Sequence, residues 1–208
     1  MRVLFTSQPG SGHWHPLVPL AQALGAAGHE VAFASMPGFR PSVEAKGFRP
    51  SIEAKGFRCF HAGIEDSEEE IRQRKEQLAL LSRSEQADYM QTNVFAGVRA
   101  EHSLPELIDI IREWRPGVVV RENTEYAGCI AAEHAGTPHA AVQITAPRTY
   151  FLQVIEASLK HLCALVGLPP GKPADMLYHY MLLTSRPPSL WNPEVPVPPT
   201  LHNFRYAG

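Results

Sequence analysis

The first residues of the chain constrain its fold more than any other segment. Residues 3–6 form a short, mostly apolar run before a glycine-rich turn, which is typical of a buried strand. Pro16 favours the first turn of a helix, and apolar residues then recur at helical spacing. A second apolar run covers residues 31–34. A strand, a helix and a second strand within about 30 residues predict two parallel strands joined by a right-handed crossover.

The same alternation continues along the chain. Further strands are predicted at residues 58–61, 118–120, 140–144 and 181–184. Helices are predicted at residues 67–84, 85–100, 104–114, 125–135 and 150–166, and the first of them begins at a Ser67–Glu70 capping box. The expected fold class is therefore α/β, with a doubly wound, mostly parallel Rossmann-like sheet of about six or seven strands and helices on both faces.

Two segments depart from this alternation. Residues 38–46 read GFRPSVEAK and residues 47–55 read GFRPSIEAK, which is a tandem duplication. Because loops tolerate added length at a small free-energy cost, we interpret the duplication as a longer surface connection. From residue 186 onwards the chain is rich in proline, which predicts an extended segment.

The composition disfavours several classes of protein. The formal net charge of −2 argues against a surface that neutralises nucleic-acid phosphates. The three cysteines have no paired spacing and suit a reducing compartment. The apolar run at the N-terminus is too short for a signal peptide, and no stretch approaches the roughly 18 apolar residues of a membrane span. We therefore expect a soluble, cytoplasmic protein.

The glycine-rich turn carries the first candidate site. His13 is expected on a tight loop at the carboxyl end of the first strand, where open α/β sheets bind ligands. Its imidazole titrates near neutrality, so it can act as a general base. The backbone N–H groups of Gly10, Ser11 and Gly12 precede a helix, a position that favours anions. A base beside a phosphate site indicates group transfer from a phosphorylated donor.

The residues of this turn disfavour a dinucleotide site and a metal site. A dinucleotide site needs a third glycine, where Trp14 and His15 stand, and an acidic residue after the second strand, which residues 34–36 do not provide. A metal site would need more ligands at suitable spacing than His13 and His15, so no metal is expected. A purely structural His13, whose ring caps the loop, stays open as an alternative.

A histidine base needs a partner that sets its tautomer and stabilises the imidazolium. Glu122 follows the predicted strand at residues 118–120. In a doubly wound sheet the first and fourth strands are often neighbours, so Glu122 is the candidate partner of His13. The alternative is a helix-capping or surface carboxylate.

An acceptor pocket is expected at the same edge of the sheet, lined by polar residues near strand ends and by aromatic rings. The candidates for acceptor binding are Trp14, Phe60, Phe95, Thr124, Thr145 and Arg148. Each aromatic residue, taken singly, is more often part of a core.

Several motifs in this order resemble a known family. They are Gly10-Ser11-Gly12-His13 with Pro16-Leu17, residues 28–31 (GHEV), residues 114–122 (WRPGVVVRE) with Ala127-Gly128, residues 131–140, and residues 198–200 (PPT). Together they resemble the N-terminal half of GT-B-fold, family 1-type glycosyltransferases, especially the bacterial enzymes that decorate natural products. The resemblance covers essentially the whole chain.

The resemblance implies roles for the candidate residues. In that family the histidine of the first loop deprotonates an acceptor hydroxyl, and a sugar is transferred with inversion from a nucleotide diphosphate donor, without a metal or other cofactor. His13 would be this base, and Glu122 would be the carboxylate that orients it, at a position where aspartate is common. The turn at Gly10, Ser11 and Gly12 would face the donor phosphates. The acceptor would be a small natural-product aglycone.

The family holds the donor mainly in a second Rossmann-like domain, which nothing in this sequence resembles. Residues 1–208 would then be a single acceptor-binding domain, and residues 186–208 would lead to an absent C-terminal donor domain or to a partner protein. The chain alone would bind an aglycone weakly and transfer no sugar. The alternative is a non-catalytic helper module of the same fold, which would not need His13. A hydrolase is disfavoured because no Gly-x-Ser-x-Gly motif occurs.

Overall fold

Parallel strands form one seven-stranded sheet in a computed structural model of the chain. The structure describes residues 1–36, 56–145, 151–169, 171–192 and 194–205. The duplicated residues 38–55 and Arg148 lie outside these ranges, so the predictions made for them are not addressed by the structure. The strands are, in chain order, β1 (Arg2–Thr6), β2 (Glu30–Ser35), β3 (Arg58–His61), β4 (Val118–Glu122), β5 (His139–Gln143), β6 (Met181–Thr184) and β7 (Leu201–Asn203).

The strand order creates a topological switch point between β1 and β4. The order is β3-β2-β1-β4-β5-β6-β7, and every neighbouring pair is parallel. The chain therefore builds the sheet outward from β1 in one direction and from β4 in the other, which opens a crevice at the carboxyl ends of these two strands. The predicted α/β class and the pairing of the first and fourth strands are confirmed.

Helices pack on both faces of the sheet. They are α1 (Ser11–Trp14), α2 (Val18–Ala26), α3 (Glu68–Ala79), α4 (Arg83–Tyr89), α5 (Arg99–Trp114), α6 (Ala127–Ala135), α7 (Phe151–Leu165) and α8 (Pro173–Met176). A 3₁₀ turn at His15–Leu17 joins α1 to α2, and a π-helical stretch at Met90–Val98 joins α4 to α5. Within the described residues, no helix combines the length and apolar character needed to cross a membrane.

Two apolar clusters lie on opposite faces of the sheet. On one face, Trp14 and Leu17 pack against Phe5 and Phe33. On the other face, α5 buries residues at helical spacing against α6, namely Leu104, Leu107, Ile111 and Trp114. Helix α6 carries small residues on this side, which lets it approach the sheet closely, as the sequence predicted.

The structure adds one helical turn and removes one predicted break. Helix α2 begins at Val18, after the 3₁₀ turn that contains Pro16, which agrees with the helix expected to begin near Pro16. The preceding turn α1, in which Trp14 is buried, was not predicted. The break expected between residues 100 and 104 is absent. Pro105 lies inside α5, and the kink falls instead at Gly97, whose φ of −100° and ψ of −119° are not helical. Packing of the buried face of α5 outweighs the hydrogen bond lost at the proline.

The proline-rich segment does not continue as an extended linker to its end. After two prolines at positions 198 and 199, Leu201–Asn203 returns to the sheet as β7 and pairs with β6. The N–H of Leu182 donates to the carbonyl of Thr200 at 3.0 Å, and the N–H of Phe204 donates to that of Thr184 at 2.9 Å. A strand of three residues gave no recognisable pattern of its own in the sequence.

Candidate functional site

The candidate site lies where β1 and β4 end side by side. Thr6, the last residue of β1, pairs with Arg121, and Glu122 is the last residue of β4. Residues that follow β1 and residues that end β4 therefore meet at the switch point of the sheet. Ligands of open α/β sheets bind at this position.

The turn after β1 places His13 over this edge. Gly10 has a φ of +121°, a conformation that glycine adopts without a steric cost. The Gly10 carbonyl accepts a hydrogen bond from the N–H of His13 at 3.1 Å. His13 therefore lies in the helical turn α1 and not on the predicted loop, with 22 % of its side chain exposed.

His13 and Glu122 form a hydrogen-bonded pair. His13 Nδ1 lies 2.9 Å from Glu122 Oε1, and the Glu122 side chain is fully buried. A carboxylate has only acceptor atoms, so the imidazole donates its Nδ1–H. That tautomer leaves Nε2 with its lone pair, and none of the hydrogen bonds within the described residues uses this atom. The predicted proximity of the two residues is confirmed.

The Glu122 carboxylate is held by several donors. The Thr124 hydroxyl lies 2.7 Å from Oε1 and 2.9 Å from Oε2, and the Thr124 N–H donates to Oε2 at 2.6 Å. The N–H of Gln8 approaches Oε1 at 3.5 Å. Burying a carboxylate is tolerable only when such donors replace water. Thr124 was predicted to bind the acceptor, but it is buried and its hydroxyl is directed to Glu122.

One predicted aromatic residue reaches the pair. The Phe95 ring meets the His13 ring edge to face, with centroids 5.5 Å apart. The Arg99 guanidinium lies 5.9 Å from the Phe95 centroid and binds Asp66, which also accepts two hydrogen bonds from Arg74. The hydrogen bond from Arg74 and the charge of both arginines hold the pKa of Asp66 at about 2, against the opposing effect of burial.

The other two aromatic candidates differ in their burial. Trp14 is fully buried in the core on the α2 face, and its ring contacts that of His15. Phe60 packs on Trp114, with centroids 5.6 Å apart, beneath the Arg58 guanidinium. Trp14 is therefore a core residue, and its assignment to an acceptor pocket is corrected. Phe60 is only partly buried, so its assignment stays a prediction.

Thr145 lies at the neighbouring strand end. Its hydroxyl accepts a hydrogen bond from Asn123 Nδ2 at 3.2 Å, and the Asn123 side-chain oxygen accepts one from the N–H of Ile144 at 2.8 Å. Asn123 thus ties the end of β4 to the residues after β5, and Thr145 remains exposed. The turn residues Ser11 and Gly12 are exposed and Gly10 is partly so.

Sequence reasoning missed several polar residues that support the site. Glu125 accepts hydrogen bonds from the Thr6 hydroxyl and from the N–H of Gly128, which lies 3.0 Å from both carboxylate oxygens. Burial raises the pKa of Glu125 above its usual range, while these hydrogen bonds and the charge of Arg121 act in the opposite direction. One sequence signal could have identified Glu125 and its neighbours: the run of polar residues 121–125 that directly follows the apolar residues 118–120.

Cavities open on the surface of the described part of the chain. One of about 220 Å³ lies beside Gly10 and is also lined by Met36, Asp66 and Arg99. A larger one of about 500 Å³ lies between the proline-rich segment and the residues around α8; Gln143, Tyr178 and Trp191 are among its walls. A volume of this size suits a small organic molecule.

The fold and the site thus define the class of protein: a doubly wound α/β domain with a histidine–carboxylate pair at the switch point of its sheet. The chain belongs to the erythromycin biosynthesis protein CIII-like family, because residues 22–178 match the model of that family's N-terminal domain.

Curated relatives of the chain are glycosyltransferases. It is 32% identical over 154 residues to the 10-deoxymethynolide desosaminyltransferase of Streptomyces venezuelae, a match that covers 68% of this chain and 35% of the relative. It is 36% identical over 138 residues to the L-demethylnoviosyl transferase of Streptomyces niveus, covering 66% of this chain and 33% of the relative. The matched region therefore spans about a third of these relatives.

A solved structure shows the same fold. The glycosyltransferase SsfS6 of Streptomyces sp. SF2575, complexed with thymidine diphosphate, superposes with a TM-score of 0.71 at 21% identity. The superposition covers 100% of this chain and 53% of that chain. The chain thus spans about one half of that structure.

Proposed function

We propose that the chain is the acceptor-binding domain of an inverting glycosyltransferase, in which His13 is the general base. The proposed reaction moves a sugar from a nucleotide diphosphate donor to a hydroxyl of a small natural-product aglycone. The observation that carries the proposal is the hydrogen bond of 2.9 Å between His13 Nδ1 and the buried Glu122 carboxylate. The buried His139 also pairs with a carboxylate, that of Glu133, but its side chain is closed to solvent, whereas 22 % of the His13 side chain is exposed and open to a substrate.

The proposed mechanism is a single displacement. With Nδ1–H donated to Glu122, Nε2 of His13 is the atom that accepts the proton of the acceptor hydroxyl. The acceptor oxygen forms its bond to the anomeric carbon on the side opposite the diphosphate, and the bond from that carbon to the diphosphate breaks. The electron pair leaves with the nucleotide diphosphate. Glu122 stabilises the imidazolium that results, and one displacement inverts the anomeric centre.

The donor is proposed to bind on the Gly10 side of the pair. The SsfS6 structure holds thymidine diphosphate, which makes a thymidine diphosphate sugar the proposed co-substrate here. Gly10, Ser11 and Gly12 are the proposed contacts to its phosphates, since the first N–H groups of a helical turn have no partners within the helix. No metal or other cofactor is proposed. Most donor contacts would come from a second domain, and the described domain alone is proposed to be inactive.

The acceptor is proposed to lie against the exposed side of His13. Phe95 and Thr145 remain the proposed contacts, because Phe95 touches the imidazole and Thr145 is exposed at the adjacent strand end. Arg148 is retained as a proposal from the sequence. The acceptor of the S. venezuelae relative, as its name states, is 10-deoxymethynolide. This name indicates that the acceptor proposed for the present chain is also a natural-product aglycone.

The test begins with the gene. Its sequence beyond codon 208 is determined, and the product of any continuing reading frame is assayed beside the 208-residue chain for transfer from a thymidine diphosphate sugar to 10-deoxymethynolide and related aglycones, by mass spectrometry. We expect transfer by the longer product, none by the 208 residues, and none by the longer product with His13→Ala. Transfer that survives His13→Ala would refute the base and favour the helper-module alternative. Turnover by the 208 residues would refute the need for a second domain.

A further inference from the structure

Arg121 is a fully buried cation that sits beside Glu122 in β4. Its side chain points to the sheet face opposite that of Glu122, because successive strand residues alternate between faces. Its hydrogen-bond partners within the described residues are backbone carbonyls and not a carboxylate. Removing an arginine from water is unfavourable unless its surroundings compensate the charge, so this placement calls for a reason.

The carbonyls that Arg121 binds come from two separate segments. Nη1 donates to the carbonyl of Glu122 at 3.5 Å and to that of Glu125 at 3.2 Å, and Nη2 donates to the carbonyl of Leu177. Glu122 and Glu125 bound the turn that carries the carboxylate partner of His13. Leu177 directly follows α8. One planar guanidinium therefore joins the turn after β4 to the segment after α8.

The joined segment forms part of the wall of the larger cavity. Tyr178 and His179, the residues after Leu177, line the cavity of about 500 Å³. The Tyr178 carbonyl in turn accepts a hydrogen bond of 2.6 Å from the Thr200 hydroxyl, at the end of the proline-rich segment. Arg121 thus ties the turn after Glu122 to this wall, in addition to the hydrogen bonds by which Asn123 ties the same turn to the residues after β5.

We propose that Arg121 is a positioning residue whose hydrogen bonds to three carbonyls set the position from which Glu122 orients His13. This inference rests on the proposed function of the pair. A lysine at the same position keeps the charge, but its ammonium group cannot reach separate carbonyls with the fixed, planar fork of a guanidinium. Loss of the fork is therefore expected to release the turn and with it the carboxylate.

The test reads the His13–Glu122 hydrogen bond directly. In the ¹⁵N-labelled 208-residue chain, the Nδ1–H proton held by Glu122 is expected to exchange slowly enough with water to give its own proton resonance, which is assigned to His13 by its absence from His13→Gln. We expect this resonance in the unsubstituted chain, its loss in Arg121→Lys, and its survival in Arg2→Lys. Arg2 controls for the chemistry of the substitution and not for burial: its Nη1 also donates to a backbone carbonyl, that of Trp114 at 2.7 Å, but its side chain is 46% exposed and also binds Glu30.

Circular dichroism and the amide spectrum establish that each variant is folded. Survival of the His13 resonance in folded Arg121→Lys would overturn the positioning role and leave the proposed function intact. Absence of the resonance from the unsubstituted chain would show that His13 and Glu122 are not hydrogen-bonded. It would overturn both the proposed function of the two residues and the positioning role of Arg121. If Arg121→Lys does not fold, exchange of the Arg121 Nη–H protons is measured in the unsubstituted chain. Exchange as fast as that of the exposed Arg72 would overturn the proposal, and marked protection supports it.

Discussion

His13 Nδ1 and Glu122 Oε1 lie 2.9 Å apart although 109 residues separate them in the chain. Their meeting depends on the pairing of β1 with β4, which aligns the two strand ends. The exposed ring and the buried carboxylate have different tasks under the proposed function, since the ring faces the acceptor and the carboxylate fixes its tautomer.

Glu122→Gln is expected to reduce transfer in the longer, active product without changing its affinity for the aglycone. The amide keeps the size of the side chain but removes the charge that stabilises the imidazolium, and the expected fall in kcat is about 10² to 10⁴-fold. Steady-state kinetics with saturating donor measure it. Glu122→Asp is the matched variant: it keeps the charge but is one methylene shorter, so an intermediate kcat is expected. An unchanged kcat in Glu122→Gln would mean that the charge is not used.

Thr124→Val is expected to destabilise the chain, because the valine has the same shape but leaves the buried Glu122 carboxylate without the hydroxyl that now lies 2.7 Å from Oε1. Removing one partner of a buried charged group costs about 1–3 kcal/mol. Urea unfolding at pH 7 measures the free energy of unfolding. Thr124→Ser keeps the hydroxyl and serves as the control, with a smaller loss expected. Equal losses in the two variants would assign the effect to packing and not to the hydrogen bond.

Gly128→Ala is expected to destabilise the chain by disturbing Glu125. A methyl group at this position would press against the Glu125 carboxylate and the Thr6 hydroxyl, which bind each other there. Overpacking of this kind typically costs about 1–3 kcal/mol. Gly25→Ala in α2 is the control, since nothing lies within 4 Å of its added methyl group. That change should be neutral or stabilise by up to about 1 kcal/mol; a neutral Gly128→Ala would contradict the tight contact.

The lowered pKa of His139 predicts that the chain loses stability in mild acid. Burial lowers the pKa of its imidazole from 6.5 to about 4; the charge of Arg121 acts in the same direction, while the hydrogen bond to Glu133 opposes it. The folded chain thus keeps this ring neutral, and the unfolded chain binds a proton more readily between these two values. The stabilisation from the neutral ring is complete above pH 6.5 and is lost as the pH falls towards 4.

The size of this effect can be isolated with a variant. Between pH 7 and pH 5, the His139 contribution to the free energy of unfolding should fall by about 2 kcal/mol. His139→Gln keeps a donor for Glu133 and does not titrate. Urea unfolding at both pH values should therefore show a smaller difference for this variant than for the unsubstituted chain. An identical difference in the two proteins would show that His139 is not held neutral.

Local patterns were sufficient to predict most of the sheet. The apolar runs marked six of the seven strands, and the Ser67–Glu70 capping box begins α3 as predicted. The meeting of His13 and Glu122 was predictable because parallel strands that follow the doubly wound order align their carboxyl ends. That inference needed only strand order and no side-chain detail.

Features that depend on distant contacts were not predictable. Trp14 was assigned to a pocket, but helix α1 turns it into the core, and no local pattern distinguishes the two outcomes. Thr124 points to Glu122 because it lies in a turn, where neither the strand nor the helix period applies. The charge of Arg121 placed the predicted end of the strand before it. Its burial depends on a hydrogen bond to the carbonyl of Leu177, which lies 56 residues later in the chain.

The switch point between β1 and β4 also has a consequence for folding. His13 follows β1, in the half of the sheet that contains β1, β2 and β3, whereas Glu122 belongs to the half that begins with β4. Neither half alone can form the hydrogen bond, however well it folds. Since contacts between residues so far apart in the chain form late and slowly, the His13 proton resonance would appear only when the two halves of the sheet have joined, and would report the completion of the domain.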